Sequence, residues 1–284
     1  MINQDNKLDL LKTEKLVDIF LEEESKTIKS IKKEKRNISK AISKIISRIQ
    51  KGGRVIYIGA GTSGRLGVLD ASECKPTFST DIFQAIIAGG KEAIFRAKED
   101  VEDDKLQAIK DCKKLKLNRS DVLIGVSASG ETPYTVASIK FAKRLGASTV
   151  GVCSNPSSTL AKIARYRISP LIKKEIISGS SRLKSGTAQK IILNMISSIS
   201  MIKLGKVYGR LMIDVQPKNK KLIKRAISII SDICKLPFRK SKELFYKSKM
   251  HTKAAIVMHY RKCNLKTAQE LLKAYSYNLR KVIG

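Results

Sequence analysis

The chain has 284 residues, and 57 Lys and Arg against 25 Asp and Glu give it a formal net charge of +32. A hydrophobic fraction of 42% with 17 Gly and 6 Pro excludes a disordered or collagen-like chain and allows a large core. The 5 cysteines are widely and irregularly spaced, which argues against a zinc ribbon or a secreted disulfide framework. No signal peptide is apparent, and no apolar stretch reaches the roughly 18 residues of a membrane span. We therefore expect a cytoplasmic protein without a membrane segment.

In chain order, the apolar pattern first predicts helices and then a sheet. Residues 7–50 repeat apolar positions every three or four residues, and Gly52-Gly53 ends this helical region. Five short apolar runs then predict buried strands, at Arg54–Ile58, Ile82–Ala88, Val122–Val126, Ser148–Val152 and Tyr166–Ile172. Helical patterns alternate with them, at 65–71, 91–115 and 133–145. This alternation predicts an α/β fold, a three-layer sandwich with a parallel sheet.

The rest of the chain is predicted to be helical. Residues 185–205 read as one long apolar helix, and helical patterns alone follow Pro217, at 218–235, 240–249, 252–260 and 265–274. We predict three parts: an N-terminal helical segment at 1–52, an α/β domain at 53–216 and a small all-α C-terminal domain at 217–284.

The positive charge makes nucleic acid the first partner to consider. Most of this charge lies after residue 150, and Lys carries more of it than Arg, whose forked guanidinium suits phosphates and bases. Residues 51–150 are nearly balanced in charge. We therefore favour a solvated basic surface over a nucleic-acid site.

A glycine-rich loop follows the first predicted strand and opens a helix, at Gly59–Gly64. Its glycines let the backbone approach an anion, and the helix N-terminus supplies free N–H groups. The loop matches the dinucleotide fingerprint G-x-G-x-x-G, but the second strand ends at 88–91 without an acidic residue for a ribose. Gly61, Thr62 and Ser63 therefore favour a phosphate monoester.

A second loop, rich in hydroxyls, follows the third predicted strand. Ser127, Ser129 and Thr132 lie within one turn, directly before Pro133. Ser and Thr are also ordinary helix N-caps, so one such loop alone would carry little weight. Two loops at the carboxyl ends of parallel strands converge on one crevice, which favours a phosphate-binding site.

These loops resemble those of the sugar isomerase (SIS) domain, a phosphosugar-binding fold. More specifically, three stretches resemble the N-acetylmuramic acid 6-phosphate etherases: GAGTSGRLGVLDASEC at 59–74, ISGSSRLKSGTAQK at 177–190 and GRLMID at 209–214. The resemblance implies that 53–216 is a SIS phosphosugar-binding catalytic domain. It also implies a cytoplasmic lyase of cell-wall recycling, a homodimer without cofactor or metal, which splits a phosphorylated amino sugar into N-acetylglucosamine 6-phosphate and D-lactate.

The resemblance also implies two catalytic acids. It maps the family's general acid onto Glu73 and its second catalytic glutamate onto Glu102. In the open-chain sugar, a base can remove the C2 proton beside the aldehyde while an acid protonates the lactyl oxygen leaving C3. Two carboxyls can do this if one is protonated while the other is ionised. By pattern alone, Glu73 is also typical of a surface helix end and Glu102 of acidic enrichment at a helix N-terminus.

Other polar residues are weaker candidates. Arg182 and Lys184 lie in a Gly/Ser-rich stretch and could meet the substrate's carboxylate or phosphate, with a solvated loop as the alternative; Lys184 is the predicted binding residue. His251 and His259 lack the i, i+4 spacing of a helical metal pair, so we expect structural or exposed roles. Cys74 has no nearby base and is expected to be a packed small residue.

Three positions depart from the family's pattern: Lys75, Lys91 and Glu131. They leave phosphosugar binding intact but bear on turnover and specificity. Two other functions stay open. A phosphosugar aldose–ketose isomerase would share the loops and the C2 proton abstraction, and a non-catalytic phosphosugar sensor would keep the loops without the carboxylates. The presence of both glutamates favours the enzyme.

Overall fold

The computed structural model describes residues 7–214, 217 and 219–284. The strands are β1 (Val55–Gly59), β2 (Phe83–Ile87), β3 (Val122–Val126), β4 (Ser148–Val152), β5 (Tyr166–Ile168), β6 (Val207–Tyr208) and β7 (Leu211–Met212). The helices are α1 (Thr13–Lys33), α2 (Lys35–Gln50), α3 (Gly61–Phe78), α4 (Glu92–Phe95), α5 (Lys105–Lys114), α6 (Pro133–Arg144), α7 (Thr159–Ile163), α8 (Lys184–Lys203), α9 (Lys220–Cys234), α10 (Phe238–Lys247), α11 (Thr252–Arg261), α12 (Leu265–Ala274) and α13 (Leu279–Ile283).

The chain divides into two compact units. The first comprises the residues up to Ala71 together with Ile82–Ile196, and the second comprises Ser72–Asp81 together with Ser197–Gly284. The predicted boundaries at 52/53 and 216/217 differ from this division and stay predictions. Residues 1–6, 216 and 218, where predicted segments begin or end, lie outside the described residues.

The first unit contains the predicted parallel sheet. Its strands pair in the order β2-β1-β3-β4-β5, and every pair is parallel. β3 and β4 have the predicted bounds, and the ends of β1 and β2 differ from the prediction by one residue. β5 ends at Ile168, so its predicted extension to Ile172 is wrong. Pro170 has no N–H to donate to a strand ladder, which accounts for the early end of this edge strand.

Helices cover both faces of this sheet. β1, β3 and β4 are buried along their whole length. On one face, Ile56, Ile58 and Leu123 form a core with apolar residues of α5, α6 and α7. On the other face, α3 lies so close to β1 that a Cβ added at Gly67 would come within 2.8 Å of the Tyr57 Cβ. This arrangement confirms the predicted three-layer α/β sandwich.

A buried carboxylate ties three elements of the first unit together. Asp70 of α3 is 4% exposed. Its Oδ2 accepts a hydrogen bond of 2.8 Å from the Tyr57 hydroxyl of β1, and its Oδ1 accepts one of 2.7 Å from the Asn194 amide of α8. These bonds fix the direction in which α3 leaves the sheet, because a buried carboxylate is stable only with its partners in place.

The helices follow the predictions with four main differences. The first is α3, which runs from Gly61 to Phe78 and extends well beyond the predicted 65–71 at both ends. α1 and α2 confirm the predicted N-terminal helices. The single helix predicted over 91–115 is wrong, because this stretch contains the short α4, a 3₁₀ turn at Asp100–Glu102 and then α5. Asp104 starts α5 by accepting a hydrogen bond of 2.8 Å from the Gln107 N–H. α7 and α13 have no predicted counterpart, since five residues are too few to show a period.

The second unit has its own helical core. Helices α9 to α13 surround buried apolar side chains such as Ile230, Phe245 and Ile256. α12 has the predicted bounds, and the two-residue strands β6 and β7 form a hairpin that the sequence pattern does not predict. Within the described ranges, no helix is long and apolar enough to cross a bilayer.

Candidate active site

The strand order brings the two predicted loops together. β1 and β3 are neighbours in the sheet although β2 lies between them in the chain. The chain leaves β1 into α3 on one face and leaves β3 towards α6 on the other, so a crevice opens between the two loops at the carboxyl edge. This is the topological switch point at which α/β sheets bind their ligands.

The first loop forms the start of α3. Gly61 has a φ of +50°, a backbone conformation that favours glycine, and α3 begins there. Thr62 and Ser63 lie in the first turn of the helix and line the crevice. Gly64 lets the helix approach β1, because an added Cβ would come within 2.7 Å of the Gly59 carbonyl oxygen. The hydroxyls and the free N–H groups of this turn are therefore held against the edge of the sheet.

The second loop is organised around a buried hydroxyl. Ser127 is 2% exposed, and its Oγ accepts a hydrogen bond of 3.0 Å from the Gly130 N–H. The same oxygen lies 2.9 Å from the Thr132 hydroxyl, directly before α6. Ser129 and Thr132 line the crevice, and Ser127 lies beneath them.

The crevice belongs to a larger cleft of about 1760 Å³ within the first unit. Its walls include α1, the segments after β4 and β5, and the first turn of α8. Seven of the predicted site residues line it: Gly61, Thr62, Ser63, Glu102, Ser129, Thr132 and Lys184. The structure thus brings the predicted phosphate loops, one predicted acid and the predicted lysine to one cavity, while the roles of these residues stay predictions.

The two predicted catalytic acids are both exposed side chains. Glu102 ends the 3₁₀ turn before α5 and faces the cleft. Glu73 lies on α3 beyond Ala71, in the second unit. Its pairing with Glu102 in one active site stays a prediction.

Lys184 is buried, which excludes the solvated-loop alternative for this side chain. It is the first residue of α8, is 7% exposed, and donates hydrogen bonds to the Glu23 carboxylate of α1 and, at 2.8 Å, to the Lys174 carbonyl oxygen. The hydrogen bond from Lys184 lowers the pKa of Glu23. Arg182, in contrast, is exposed.

Two serines of the cleft have no predicted role. Ser154 and Ser169 follow β4 and β5, are 6% and 1% exposed, and line the cleft. Among the described residues, the Oγ of each has no hydrogen-bond partner. The end-of-strand argument that points to Ser127 applies to both of them. The strand predicted over Tyr166–Ile172 places Ser169 in its interior. Because β5 ends at Ile168, Ser169 in fact follows the strand and lies at the edge of the sheet.

Glu131, Lys75 and Cys74, which the sequence also singles out, contact other parts of the protein or are buried in it. Glu131 accepts hydrogen bonds from the Thr159 N–H and hydroxyl at 2.7 and 2.6 Å, which lowers its pKa, so it caps α7 from the wall of the cleft. Lys75 pairs with Asp81 at 2.9 Å. Cys74 is buried, as predicted. In the part of the chain that the structure describes, no three His, Cys, Asp or Glu side chains are grouped to hold a metal ion.

Comparison with known proteins agrees with this architecture. Residues 37–143 match the sequence profile of the glucokinase regulatory protein N-terminal SIS domain, and residues 104–198 match that of the SIS domain. A phosphoheptose isomerase from Francisella tularensis is similar in fold, with a TM-score of 0.53 at 15% identity over 68% of this chain and 100% of that one. The fold and these two matches together define a protein with a SIS domain.

Two curated relatives narrow the class. A protein of Clostridium beijerinckii named N-acetylmuramic acid 6-phosphate etherase is 49% identical over 90% of this chain and 85% of its own length. A protein of Vibrio cholerae named N-acetylmuramic acid 6-phosphate etherase 2 is 41% identical over 97% of this chain and 91% of its own. The chain belongs to the N-acetylmuramic acid 6-phosphate etherase family.

Proposed function

We propose that the protein cleaves the D-lactyl ether of N-acetylmuramic acid 6-phosphate and releases N-acetylglucosamine 6-phosphate and D-lactate. The observation that carries this proposal is the 41–49% identity to relatives named for this activity, over nearly the whole chain. The cleft adds a second support, since it offers two hydroxyl-rich helix N-termini beside an acidic side chain.

The reaction is an elimination followed by an addition, which makes the enzyme a carbon–oxygen lyase. In the open-chain aldehyde, a base takes the C2 proton, the C3–O bond breaks, and lactate leaves with a proton from an acid. The intermediate has a C2=C3 double bond conjugated with the aldehyde. Water then adds to C3 while C2 regains a proton, so the net change consumes one water.

The phosphate of the substrate is assigned to the switch point. Thr62, Ser63, Ser129 and Thr132 supply hydroxyl donors there, and the first turns of α3 and α6 supply backbone N–H groups. Binding at two helix N-termini suits a dianion, because each carries about half a positive charge. The sugar then extends from this point along the cleft.

The two glutamates divide the proton transfers. We assign Glu73 as the acid that protonates the departing lactyl oxygen and Glu102 as the base at C2. The exposure of Glu102 at the wall of the cleft leaves it open to a bound ligand. Each positioned group of this kind contributes about 10²–10⁴-fold to the rate.

The remaining parts of the proposal concern assembly and location. We propose that the protein works as a homodimer in the cytoplasm, in the recycling of cell-wall amino sugars, without metal or cofactor. Sedimentation at micromolar concentration tests the dimer, and a monomer that releases lactate at the full rate would contradict it.

A direct assay tests the proposed activity. Purified protein is incubated with N-acetylmuramic acid 6-phosphate in H₂¹⁸O, and both products are analysed by mass spectrometry. We expect D-lactate without ¹⁸O and N-acetylglucosamine 6-phosphate with one ¹⁸O at C3. A ketose product would indicate the isomerase instead, and phosphosugar binding without lactate would indicate the sensor.

A further inference from the structure

A carboxylate of the protein itself occupies the N-terminus of α8. Glu175 accepts two backbone hydrogen bonds there, one of 2.8 Å from the Lys184 N–H to its Oε2 and one of 3.0 Å from the Ser185 N–H to its Oε1. α8 has 20 residues, so its N-terminus carries the full partial charge of a long helix. The position is therefore built to hold a carboxylate with both oxygens.

The segment that supplies this carboxylate has no regular structure. Residues 169–183 form neither helix nor strand, and Glu175 within them is partly exposed. The helix side of the contact is fixed, since the Lys184 ammonium is held by the Glu23 carboxylate of α1. The carboxylate can thus leave towards solvent at the cost of two hydrogen bonds, while the two N–H donors stay in place.

The same cleft contains polar groups that no part of the described protein satisfies. The hydroxyls of Ser154 and Ser169 are buried, line the cleft and have no hydrogen-bond partner. A buried hydroxyl without a hydrogen-bond partner is energetically unfavourable, so this wall is arranged for a polar ligand. It lies at the ends of β4 and β5, beyond the phosphate loops at the ends of β1 and β3.

The charge of the cleft also favours an exchange of carboxylates. Five lysines and six acidic residues line it, so its side chains do not attract a multiply charged anion by themselves. The proposed substrate brings a phosphate and a lactyl carboxylate. If Glu175 leaves as the lactyl carboxylate arrives, the α8 N-terminus keeps one anion, and one acidic side chain moves out of the cleft.

We propose that the N-terminus of α8 is a carboxylate-binding subsite, which Glu175 occupies in the free protein and the lactyl carboxylate of the substrate takes over. The inference rests on the proposed function for the identity of the ligand. It assigns the Lys184 and Ser185 N–H groups to the lactyl end of the substrate, and it makes Glu175 an internal competitor that sets the affinity for that end.

Two ligands that cannot react test the subsite. N-acetylmuramitol 6-phosphate and N-acetylglucosaminitol 6-phosphate lack the aldehyde, so neither can eliminate, and they differ only in the lactyl ether. Calorimetry measures both with the wild-type protein and with Glu175→Ala. Because the competitor is gone, we expect the variant to bind the lactyl compound about tenfold more tightly and the other one within about twofold of the wild type.

Matched variants separate competition from general charge. Asp9→Asn removes one negative charge from the same cleft without touching α8. Since the lactyl compound carries one charge more, we expect its affinity to change by at most about twofold more than that of the other compound. Glu175→Gln keeps a neutral acceptor at the helix and provides the same comparison if Glu175→Ala does not fold. An equal effect of the Glu175 variants on both ligands, or weaker binding of the lactyl compound, would overturn the subsite alone. Failure of both ligands to bind the wild-type protein would overturn the proposed function and the subsite together.

Discussion

The Oγ of Ser127 lies 2.9 Å from the Oγ1 of Thr132, with the first residue buried and the second at the wall of the cleft. Thr132 directly precedes α6, but its side chain makes no capping hydrogen bond to that helix. The hydroxyl is instead held from beneath by Ser127. The second loop therefore has an inner hydroxyl that orients the loop and outer hydroxyls that face the cleft.

This division predicts different effects for two similar substitutions. Ser127→Ala leaves the buried Gly130 N–H without its acceptor, so we expect about 1–2 kcal/mol less stability and weaker phosphosugar binding. Ser129→Ala removes an exposed hydroxyl that accepts a hydrogen bond of 3.1 Å from the Glu131 N–H. Because this bond is exposed, we expect at most about 0.5 kcal/mol less stability but about tenfold weaker binding of N-acetylglucosamine 6-phosphate. Urea unfolding and calorimetry on both variants check this. Equal losses of stability would contradict the distinction.

Exchange of the C2 hydrogen with solvent distinguishes the proposed roles of Glu73 and Glu102. Glu102→Gln should lower D-lactate release by about 10²–10⁴-fold and stop exchange of the C2 hydrogen of N-acetylglucosamine 6-phosphate in D₂O, because the base is lost. Glu73→Gln should lower lactate release by a similar factor but preserve the exchange. Proton NMR measures the exchange. Glu99→Gln, in the same acidic run, serves as the control and should turn over normally; normal turnover of Glu102→Gln would contradict its assignment.

Much of the fold can be predicted because the buried strands are bounded by polar residues. β3 begins directly after Asp121 and ends directly before Ser127. β5 ends before its apolar run does, since apolar residues continue past Ile168 while Pro170 ends the pairing. The β6–β7 hairpin has two residues in each strand, too few for an alternating pattern. Length of the run and position in the sheet thus decide what a pattern can predict.

The two hydroxyl-rich loops can be predicted because they depend on local chain order, whereas the partners of Lys184 and Glu175 cannot be predicted. Ser127 and Thr132 follow one strand and are close in sequence. Lys184 meets Glu23 across 161 residues, a contact that no local pattern indicates. The Glu175 contact with α8 is nearer in sequence but arises in an irregular segment, where the backbone has no period to predict its direction.

The glycines of the first loop provide a stability test with an internal control. A Cβ at Gly64 would come within 2.6 Å of the Ile87 Cγ1 and 2.7 Å of the Gly59 carbonyl oxygen, so Gly64→Ala should cost about 2–3 kcal/mol. Gly61 has open space around it, and its φ of +50° is the only source of strain for a larger residue. Gly61→Ala should therefore cost about 1 kcal/mol. Denaturant midpoints compare the two, and a reversed order would contradict the close approach of α3 to β1.

An ion pair between a buried carboxylate and a partly exposed guanidinium, at the opposite edge of the sheet, predicts a pH dependence. Asp121 accepts hydrogen bonds from the Arg54 backbone N–H at 3.0 Å, from its guanidinium at 2.7 Å and from the Asn118 N–H at 3.1 Å. Burial alone would raise the pKa of Asp121, but these bonds outweigh it and lower the pKa below its usual range. We expect Asp121→Asn to cost about 1–3 kcal/mol at neutral pH, because Arg54 loses its charged acceptor and keeps only the Leu115 and Lys116 carbonyl oxygens.

The sign of the pH effect follows from the lowered pKa. A carboxyl with a depressed pKa in the folded state contributes its full stability above the unfolded value of about 3.9, and this contribution is lost as the pH falls through the folded value. The gap in unfolding free energy between the wild type and Asp121→Asn should therefore be constant from pH 5 to 7 and narrow below about pH 4. Urea unfolding at each pH measures it. Glu22→Gln, at an exposed pair with Lys26, is the control and should differ from the wild type by at most about 0.5 kcal/mol. A gap that persists undiminished at pH 3 would show that the Asp121 charge does not stabilise this edge.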